Sequence, residues 1–167
     1  MSKFSERVGA ISRIGIQVET MNDGLRNSIW NYLLDIIKGN AIDAVSKIGG
    51  YFMKQPKHTI DFDFEVDAVK WLWFRYQKLE WYQVYDLVEY VAERPILCKQ
   101  TITQTQLQKG FNFIFEKEVS GYRFIQGTLS AISDKSEIAS IEEAVTKSSS
   151  AGLENVRTHL ESSLQLL

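Results

Sequence analysis

Four acidic side chains at alternate positions, in the segment DFDFEVDAVKWL, are the residues whose types and spacing come nearest to a metal site. They are Asp61, Asp63, Glu65 and Asp67. Alternate oxygen ligands open a calcium-binding loop, but Val66 replaces the turn glycine of such a loop and Leu72 replaces its closing glutamate. Acidic residues favoured by the positive end of a helix dipole explain the run better. The sequence therefore predicts no metal site.

The histidine and cysteine side chains do not indicate a catalytic pair. His58 lies in a predicted loop, and His159 lies near the C-terminus. The single cysteine, Cys98, is flanked by apolar residues, a setting typical of a buried and inert thiol. The sequence also contains no glycine-rich phosphate loop, nucleophile elbow or zinc-type spacing. We therefore expect neither enzymatic activity nor a bound cofactor in this chain.

Length, charge and hydropathy limit the classes of protein to which the chain can belong. Its 167 residues, 44% of them apolar, suffice for one core of ordinary domain size. The 19 basic and 21 acidic residues give a net charge of -2, and the basic ones are scattered, so nothing supports nucleic acid as a partner. No segment approaches the roughly 18 apolar residues of a membrane span, and the N-terminus lacks the apolar run of a signal peptide. We expect a cytoplasmic protein that does not enter the membrane.

The segment ETMNDGLRNSIWNYLLDII, residues 19–37, combines a polar run with apolar residues spaced along one helix face. Thr20 and Asp23 resemble a capping pair, so the helix is predicted to begin here and to end at the stop signal KGN. The cap does not account for Arg26 and Asn27, which fall in the first turns of the helix. Asn competes with the backbone for hydrogen bonds inside a helix, and a solvated face is the simplest interpretation of the pair.

Four further segments before residue 119 show the apolar periodicity of helices. They are AIDAVSKIGGYFMKQP, FEVDAVKWLWFRYQ, EWYQVYDLVEYVAERP and TQTQLQKGFNFIFEKE. Two glycines weaken the middle of the first segment, and a proline ends the third. Two of these segments are crowded with aromatic residues, including Trp71, Trp73 and Trp81. Because Trp71 and Trp73 lie about 200° apart on a helix, one core cannot cover all the rings. We expect a protein interface to cover some of them, since base stacking would need more basic residues between them.

The remaining segments predict a hairpin and two helices. Strand-favouring residues flank Gln126 and Gly127 in GYRFIQGTLSAIS, and a hairpin this short needs helices to pack on. IGIQVE, at residues 14–19, alternates like a strand that could extend the sheet. Asp134 and Glu137 form a capping-box pattern for the next helix. The whole chain thus predicts a mostly α fold of about six to seven helices plus one short antiparallel hairpin.

The last segment, LENVRTHLESSLQLL, has no polar stop signal. Its apolar stripe is Leu153, Val156, Leu160, Leu164 and Leu167. A stripe of this kind favours burial, so we expect the helix to dock on its own domain, to pair with another chain or to continue into further structure. Leu160 and Leu164 are therefore candidate contact residues.

Three stretches carry a resemblance to a known family. They are FSERVG at 4–9, MNDGLRNSIWNYL at 21–33 and GYRFIQGTLSAISDKSEIASIEEAV at 121–145. The chain resembles the N-terminal domain of AbiJ-type abortive-infection proteins, which are bacterial phage-defence proteins. In that family a C-terminal HEPN-type helical domain typically follows, of a class that includes RNA-cleaving toxins. The resemblance implies an N-terminal helical domain at residues 1–147, with residues 148–167 forming a linker and an amphipathic helix that could begin the next domain.

The resemblance also implies a non-catalytic role for this chain. HEPN ribonucleases use an arginine and a histidine several residues apart, whereas Arg157 and His159 are separated by a single residue. We expect a sensor, regulatory or interaction domain that binds a protein partner or trigger and controls a HEPN-type domain in cis. The alternative is a structural helical module that associates with itself, and a third hypothesis places RNA-related toxin activity in the C-terminal domain.

The polar positions of the second family-like stretch become candidate contacts under this resemblance. They are Asp23, Arg26 and Asn27. Either a contact surface or a structural hydrogen-bond network would account for them. Trp71, Trp73 and Trp81 are the aromatic candidates for the same kind of contact.

Overall fold

Five α-helices and one β-hairpin follow each other in the part of the chain that the computed structural model describes, residues 16–98 and 101–132. The helices are α1 (Asp23–Ile37), α2 (Ala41–Lys47), α3 (Glu65–Tyr76), α4 (Trp81–Ala92) and α5 (Gln104–Lys117), and the strands are β1 (Tyr122–Ile125) and β2 (Thr128–Ala131). The predicted mostly α fold with a small hairpin is confirmed. The helices predicted after residue 133, with Leu160 and Leu164, lie outside the described residues. Within the described ranges, no helix has the length and apolar character needed to cross a membrane.

Short irregular turns join the helices on either side of α3 and α4. The π-helical turn Ile48–Phe52 continues directly from α2, and the 3₁₀ turn Lys57–Thr59 follows it. A second 3₁₀ turn, Pro95–Leu97, lies after α4. The two glycines that weaken the predicted second helix therefore end its regular part, where they fall inside the π-helical turn.

Local polar side chains cap the first turns of α1 and α5. Asn22, rather than the predicted Thr20, caps α1, because its side chain accepts a hydrogen bond from the Leu25 amide at 2.9 Å. Thr20 is exposed and lies outside the helix. At α5 the Thr103 side chain and Gln106 form a reciprocal capping box. These caps satisfy amides that the first helical turn leaves without partners.

The core is formed by the apolar faces of α1, α4 and α5, with α2 and α3 closing one side. α1 contributes a fully buried row of aliphatic side chains, namely Leu25, Ile29, Leu33 and Ile37. α5 packs against α1, α4 and β1, while α2 packs against α3. Phe111 and Phe115 of α5 are almost completely buried and stack at 6.2 Å between ring centroids. The periodicity read from the sequence thus corresponds to one continuous core.

The predicted hairpin is confirmed, and α5 holds it in place. Gln126 and Gly127 both have positive φ, at 51° and 91°, as a two-residue hairpin turn requires. Asn112 pairs with the outer edge of β1: its side-chain oxygen accepts from the Phe124 amide at 2.7 Å, and its side-chain nitrogen donates to the Phe124 carbonyl at 2.9 Å. Gln108 donates to the Gly127 carbonyl at 3.2 Å. The hairpin is therefore bonded to a helix rather than to a third strand.

Gln17 joins the N-terminal side of α1 to the turn that follows α5. Its amide donates to the Val119 carbonyl at 2.9 Å, and its carbonyl accepts from the Gly121 amide at 2.8 Å. Its side chain donates to the Glu118 carbonyl and accepts from the Asn22 amide, both at 2.7 Å. Gln17 is only 4% exposed, so all of its hydrogen-bonding groups are buried and satisfied.

The strand predicted at residues 14–19 is reduced to one bridge between Gln17 and Ser120. The apolar members of the alternating pattern do not face the core, since Ile16 is 50% exposed and Val18 is 46% exposed. Ile14 lies outside the described residues. The hydrogen bonds of Gln17 bury this one polar residue of the pattern, whereas Glu19 is exposed.

The turn after α5 places a β-branched residue in the left-handed region. The Ser120 amide donates to the Phe115 carbonyl at 2.8 Å, and the Val119 amide donates to the Glu116 carbonyl at 3.3 Å. These are the two hydrogen bonds of a Schellman cap. Val119, at the position where such caps favour glycine, has a φ of 57°. This backbone conformation is strained for a β-branched side chain.

Replacing Asn112 with Ala should lower the free energy of unfolding by about 2 kcal/mol, because the buried Phe124 amide and carbonyl both lose their partner. Asn31→Ala, at an exposed position of α1, is the matched control and should change it by less than about 0.5 kcal/mol. Urea denaturation measures both. Equal effects of the two substitutions would show that the side chain of Asn112 does not hold the hairpin.

Replacing Val119 with Gly should change the free energy of unfolding by less than about 0.5 kcal/mol, because relief of the left-handed strain offsets the lost side-chain contacts and the added chain entropy. Val69→Gly, at a half-buried position inside α3, should lower it by more than about 1 kcal/mol. Thermal and urea unfolding of the two variants provide the comparison. A loss at Val119 as large as the loss at Val69 contradicts the assignment of strain.

Candidate binding cleft beside the π-helical turn

Of the three polar candidates at the start of α1, only Arg26 bonds to another helix. Asp23 and Asn27 are exposed. Arg26 donates to the Tyr76 carbonyl at 3.3 Å, and the Tyr76 hydroxyl donates to the Arg26 carbonyl at 2.7 Å. Burial raises the pKa of the Tyr76 hydroxyl far above its ordinary value, although the nearby Arg26 lowers it, so the hydroxyl remains a neutral donor. The sequence left two roles open for these residues, a contact surface or a structural hydrogen-bond network. For Arg26 this geometry supports the hydrogen-bond network.

The three tryptophan candidates lie in different places and do not form one site. Trp73 packs against the tryptophan of α1 at 4.9 Å between ring centroids. Trp71 lies under the guanidinium of Arg75, 3.7 Å from its central carbon, at the side of the π-helical turn. Trp81 packs 6.0 Å from Tyr122 of the hairpin. All three are partly buried, while Phe74 and Tyr82 are the exposed rings of α3 and α4, at 62% and 50%.

The remaining residues with reactive or ligating side chains are dispersed. Cys98 is buried, and burial raises the pKa of its thiol, which keeps the thiol protonated at neutral pH. His58 is exposed in the 3₁₀ turn, and His159 lies outside the described residues. Glu65 and Asp67 occupy the first turn of α3, where the helix dipole favours them. Among the described residues, no group of three acidic, histidine or cysteine side chains could hold a metal ion.

Close packing at Gly49 determines the path of the π-helical turn. A Cβ at Gly49 would lie 2.7 Å from a side-chain carbon of Ile60 and 2.9 Å from the ring of Trp71, so only glycine fits there. The Met53 amide closes the wide turn on the Ile48 carbonyl at 2.9 Å. As a result Tyr51 projects away from the core and is 69% exposed.

An open cleft with a volume of about 780 Å³ lies between this turn and the loop that leads to α3. Its lining residues are Ser46, Lys47, Gly50, Tyr51, Gln55, Lys57, His58, Ile60 and Asp61. Ile60, buried to 6% exposure, provides an apolar floor, and polar side chains form the rim. The volume is within the range of small-molecule sites.

The rim of the cleft contains polar groups that the fold does not use. Three lining residues are committed to the fold. Ser46 donates to the Ile60 carbonyl at 2.7 Å, Lys47 pairs with Asp43 at 2.7 Å, and the side chain of Gln55 donates to the Met53 carbonyl at 3.1 Å. The remaining rim includes three exposed polar side chains, and in the described part of the chain none of them has an ion pair or side-chain hydrogen bond; they are Lys57, His58 and Asp61. The hydroxyl of Tyr51 is equally uncommitted. These groups are available to a ligand.

A smaller cleft of about 440 Å³ lies on the other side of the same loop. Its lining residues are Phe52, Met53, Gln55, Arg75, Lys78, Leu79, Gln83 and Asp86. Gln55 lines both clefts, and its side-chain oxygen accepts a hydrogen bond from Arg75 at 3.3 Å. The loop after the π-helical turn therefore stands as a ridge between two clefts.

The sequence alone did not single out the residues of the larger cleft as a group. The sequence pattern places His58 in a loop and Tyr51 in a helix that two glycines weaken in its middle. The available signal was the pair of adjacent glycines within a helical pattern, followed after a few residues by Pro56. Such a pattern marks a close backbone approach, but the partners Ile60 and Trp71 become visible only in the fold.

Comparison with known proteins identifies the family of the chain. Residues 2–147 match the family model described as AbiJ N-terminal domain 4. No curated protein and no solved structure matches the chain significantly. Because the match covers most of the chain and includes every described residue, the chain belongs to the AbiJ N-terminal domain 4 family.

Proposed function

We propose that the chain is a non-catalytic sensor or regulatory domain of an abortive-infection protein, which binds its trigger in the cleft beside the π-helical turn. The family membership supports an abortive-infection protein as the setting. The observation that carries the proposal is the rim of the larger cleft, where charged and aromatic side chains around an apolar floor have no side-chain hydrogen bond or ion pair with any other described residue. Binding there requires no catalytic group.

The position of the cleft favours a sensor over a passive surface. Its two walls come from α2 with the π-helical turn and from the loop that enters α3, and they meet at the contact of Gly49 with Ile60 and Trp71. A ligand that pulled these walls together would move Trp71, and with it Arg75. Occupancy of the cleft is thereby coupled to the packing of α3. In a longer protein, a HEPN-type domain in cis would be the effector that responds.

A second candidate function is self-association of a purely structural module. Val66 and Phe74 lie two turns apart on α3 and are 56% and 62% exposed, so α3 presents apolar side chains to solvent. If this face pairs with a second copy, Phe74→Glu should change the solution mass. An unchanged monomer mass for wild type and variant would argue against the self-association alternative.

Substitution of the cleft rim should lower phage protection without unfolding the domain. We expect Tyr51→Ala and Lys57→Glu, made in the intact protein in its bacterial host, to lower protection at least about tenfold in plating efficiency, because each removes a ligand contact. Both side chains are exposed, so the melting temperature should stay within about 2 °C of wild type.

The matched controls lie on α5. Phe113 is 70% exposed, like Tyr51, and Lys109 is exposed like Lys57, so Phe113→Ala and Lys109→Glu should keep full protection. Protection that survives both cleft substitutions, or that is lost equally in the α5 controls, would contradict the assignment of the cleft as the trigger site.

A further inference from the structure

We infer that the ligand of the larger cleft is a ribonucleotide, with its phosphates at the basic rim, its base on Tyr51 and its ribose hydroxyls at Asp61. This inference rests on the proposed function and specifies the chemistry of the trigger. It follows from three kinds of side chain that the fold brings to one rim, where Tyr51, Lys57, His58 and Asp61 have no side-chain hydrogen bond or ion pair within the described residues. Each kind matches one part of a nucleotide.

The basic part of the rim suits a phosphate. Lys57 and His58 are consecutive, exposed and without ion pairs in the described part of the chain. Lys47, whose ammonium is held at 2.7 Å from Asp43, adds a third donor near the apolar floor. Charged donors form short, strong hydrogen bonds with phosphate oxygens. The local grouping contrasts with the net charge of -2 of the whole chain, in whose sequence the basic residues are scattered.

The aromatic part of the rim suits a base. The Tyr51 ring projects from the π-helical turn with 69% of its surface exposed, and the aromatic contacts of the described residues do not include it. An exposed ring next to cations at the mouth of a cleft is the arrangement on which nucleic-acid bases stack. A simple polyanion would not use it.

The acidic residue of the rim selects among anionic ligands. Asp61 is exposed and unpaired within the described ranges, and its charge would repel a phosphate placed beside it. A carboxylate accepts hydrogen bonds from the hydroxyls of a ribose, as it does in dinucleotide-binding folds. Asp61 thus favours a ligand that has hydroxyl donors as well as phosphates, which a ribonucleotide has and an inorganic polyphosphate or an acidic peptide lacks.

Calorimetric titration of the full chain tests the ligand class. We expect ATP or GTP to bind, and adenosine, guanosine and sodium tripolyphosphate each to bind at least about tenfold more weakly, because each lacks part of the complementary set. A short single-stranded RNA is titrated in the same way, because the end of its strand presents the same phosphate, ribose and base as a free nucleotide. Comparing the two affinities shows whether the cleft binds a free nucleotide or a strand end. An acidic peptide tests the protein-ligand interpretation, and its binding in place of nucleotides would overturn the inference.

Three substitutions test which rim side chain binds the base, the phosphates and the ribose. Tyr51→Ala should weaken ATP or GTP binding about tenfold, and Lys57→Gln about fivefold. We expect the wild-type protein to bind a ribonucleotide about fivefold more tightly than the 2′,3′-dideoxynucleotide. Asp61→Asn should bind the two nucleotides with nearly equal affinity. Phe113→Ala and Lys109→Gln on α5 should leave all affinities unchanged.

The outcomes separate the ligand class from the sensor role. Tripolyphosphate binding as tight as ATP binding, together with no effect of Tyr51→Ala, would overturn the nucleotide inference. If nucleotides do not bind while the cleft variants lose phage protection, the nucleotide inference is overturned and the sensor role remains supported. Nucleotide binding to the cleft with undiminished protection by the cleft variants would instead overturn the sensor role and keep the ligand class.

Discussion

The contact of Gly49 with Ile60 and Trp71 is the constraint on which the rest of the proposed binding surface depends. Because Gly49 has no side chain, the loop before α3 can lie directly on the end of α2. The chain passes this point of contact as a π-helical turn. Three consequences follow. Tyr51 points outward, a cleft opens between the turn and the loop, and Trp71 is fixed where Arg75 can cover its ring at 3.7 Å. Arg75 in turn holds Gln55, which forms the ridge between the two clefts.

The hairpin is held to the rest of the described domain by a different kind of contact. Polar groups there are buried and mutually satisfied: Gln17 bonds to the turn after α5, Asn112 pairs with the edge of β1, and the Tyr85 hydroxyl lies 2.6 Å from the Ser120 hydroxyl. Arg123, only 7% exposed, donates to the carbonyls of Ser120 and Tyr122, and burial lowers the pKa of its guanidinium. A satisfied network of this kind specifies one arrangement. The domain therefore combines a fixed frame at the hairpin with uncommitted side chains at the π-helical turn.

Apolar periodicity was sufficient to predict the five helices of the described residues, because one-sided burial leaves a pattern in neighbouring residues. Strand-favouring residues on both sides of Gln126 and Gly127 were sufficient to predict the hairpin. These patterns did not predict the features set by distant partners. The cap of α1 is Asn22 rather than Thr20, since Gln17 positions the Asn22 amide from outside the helix. Within the predicted strand, Gln17 is buried rather than Ile16 or Val18, because Gln17 bonds to the turn after α5. The cleft was missed because Tyr51, Lys57 and Asp61 have no common periodicity and meet only after Gly49 packs on Trp71. The family-like stretches identified kinship, since a family signature needs no knowledge of the fold.

Amide hydrogen exchange of the full chain, with and without saturating ATP and GTP, tests most directly whether the π-helical turn is the binding region. Exchange depends on local opening, so a ligand slows it where it closes the structure. The account predicts slower exchange in residues 46–61, together with unchanged exchange in α5 and the hairpin. Slower exchange in α5 or the hairpin, with none in residues 46–61, would contradict the central claim that the domain recognises its ligand at the Gly49 turn.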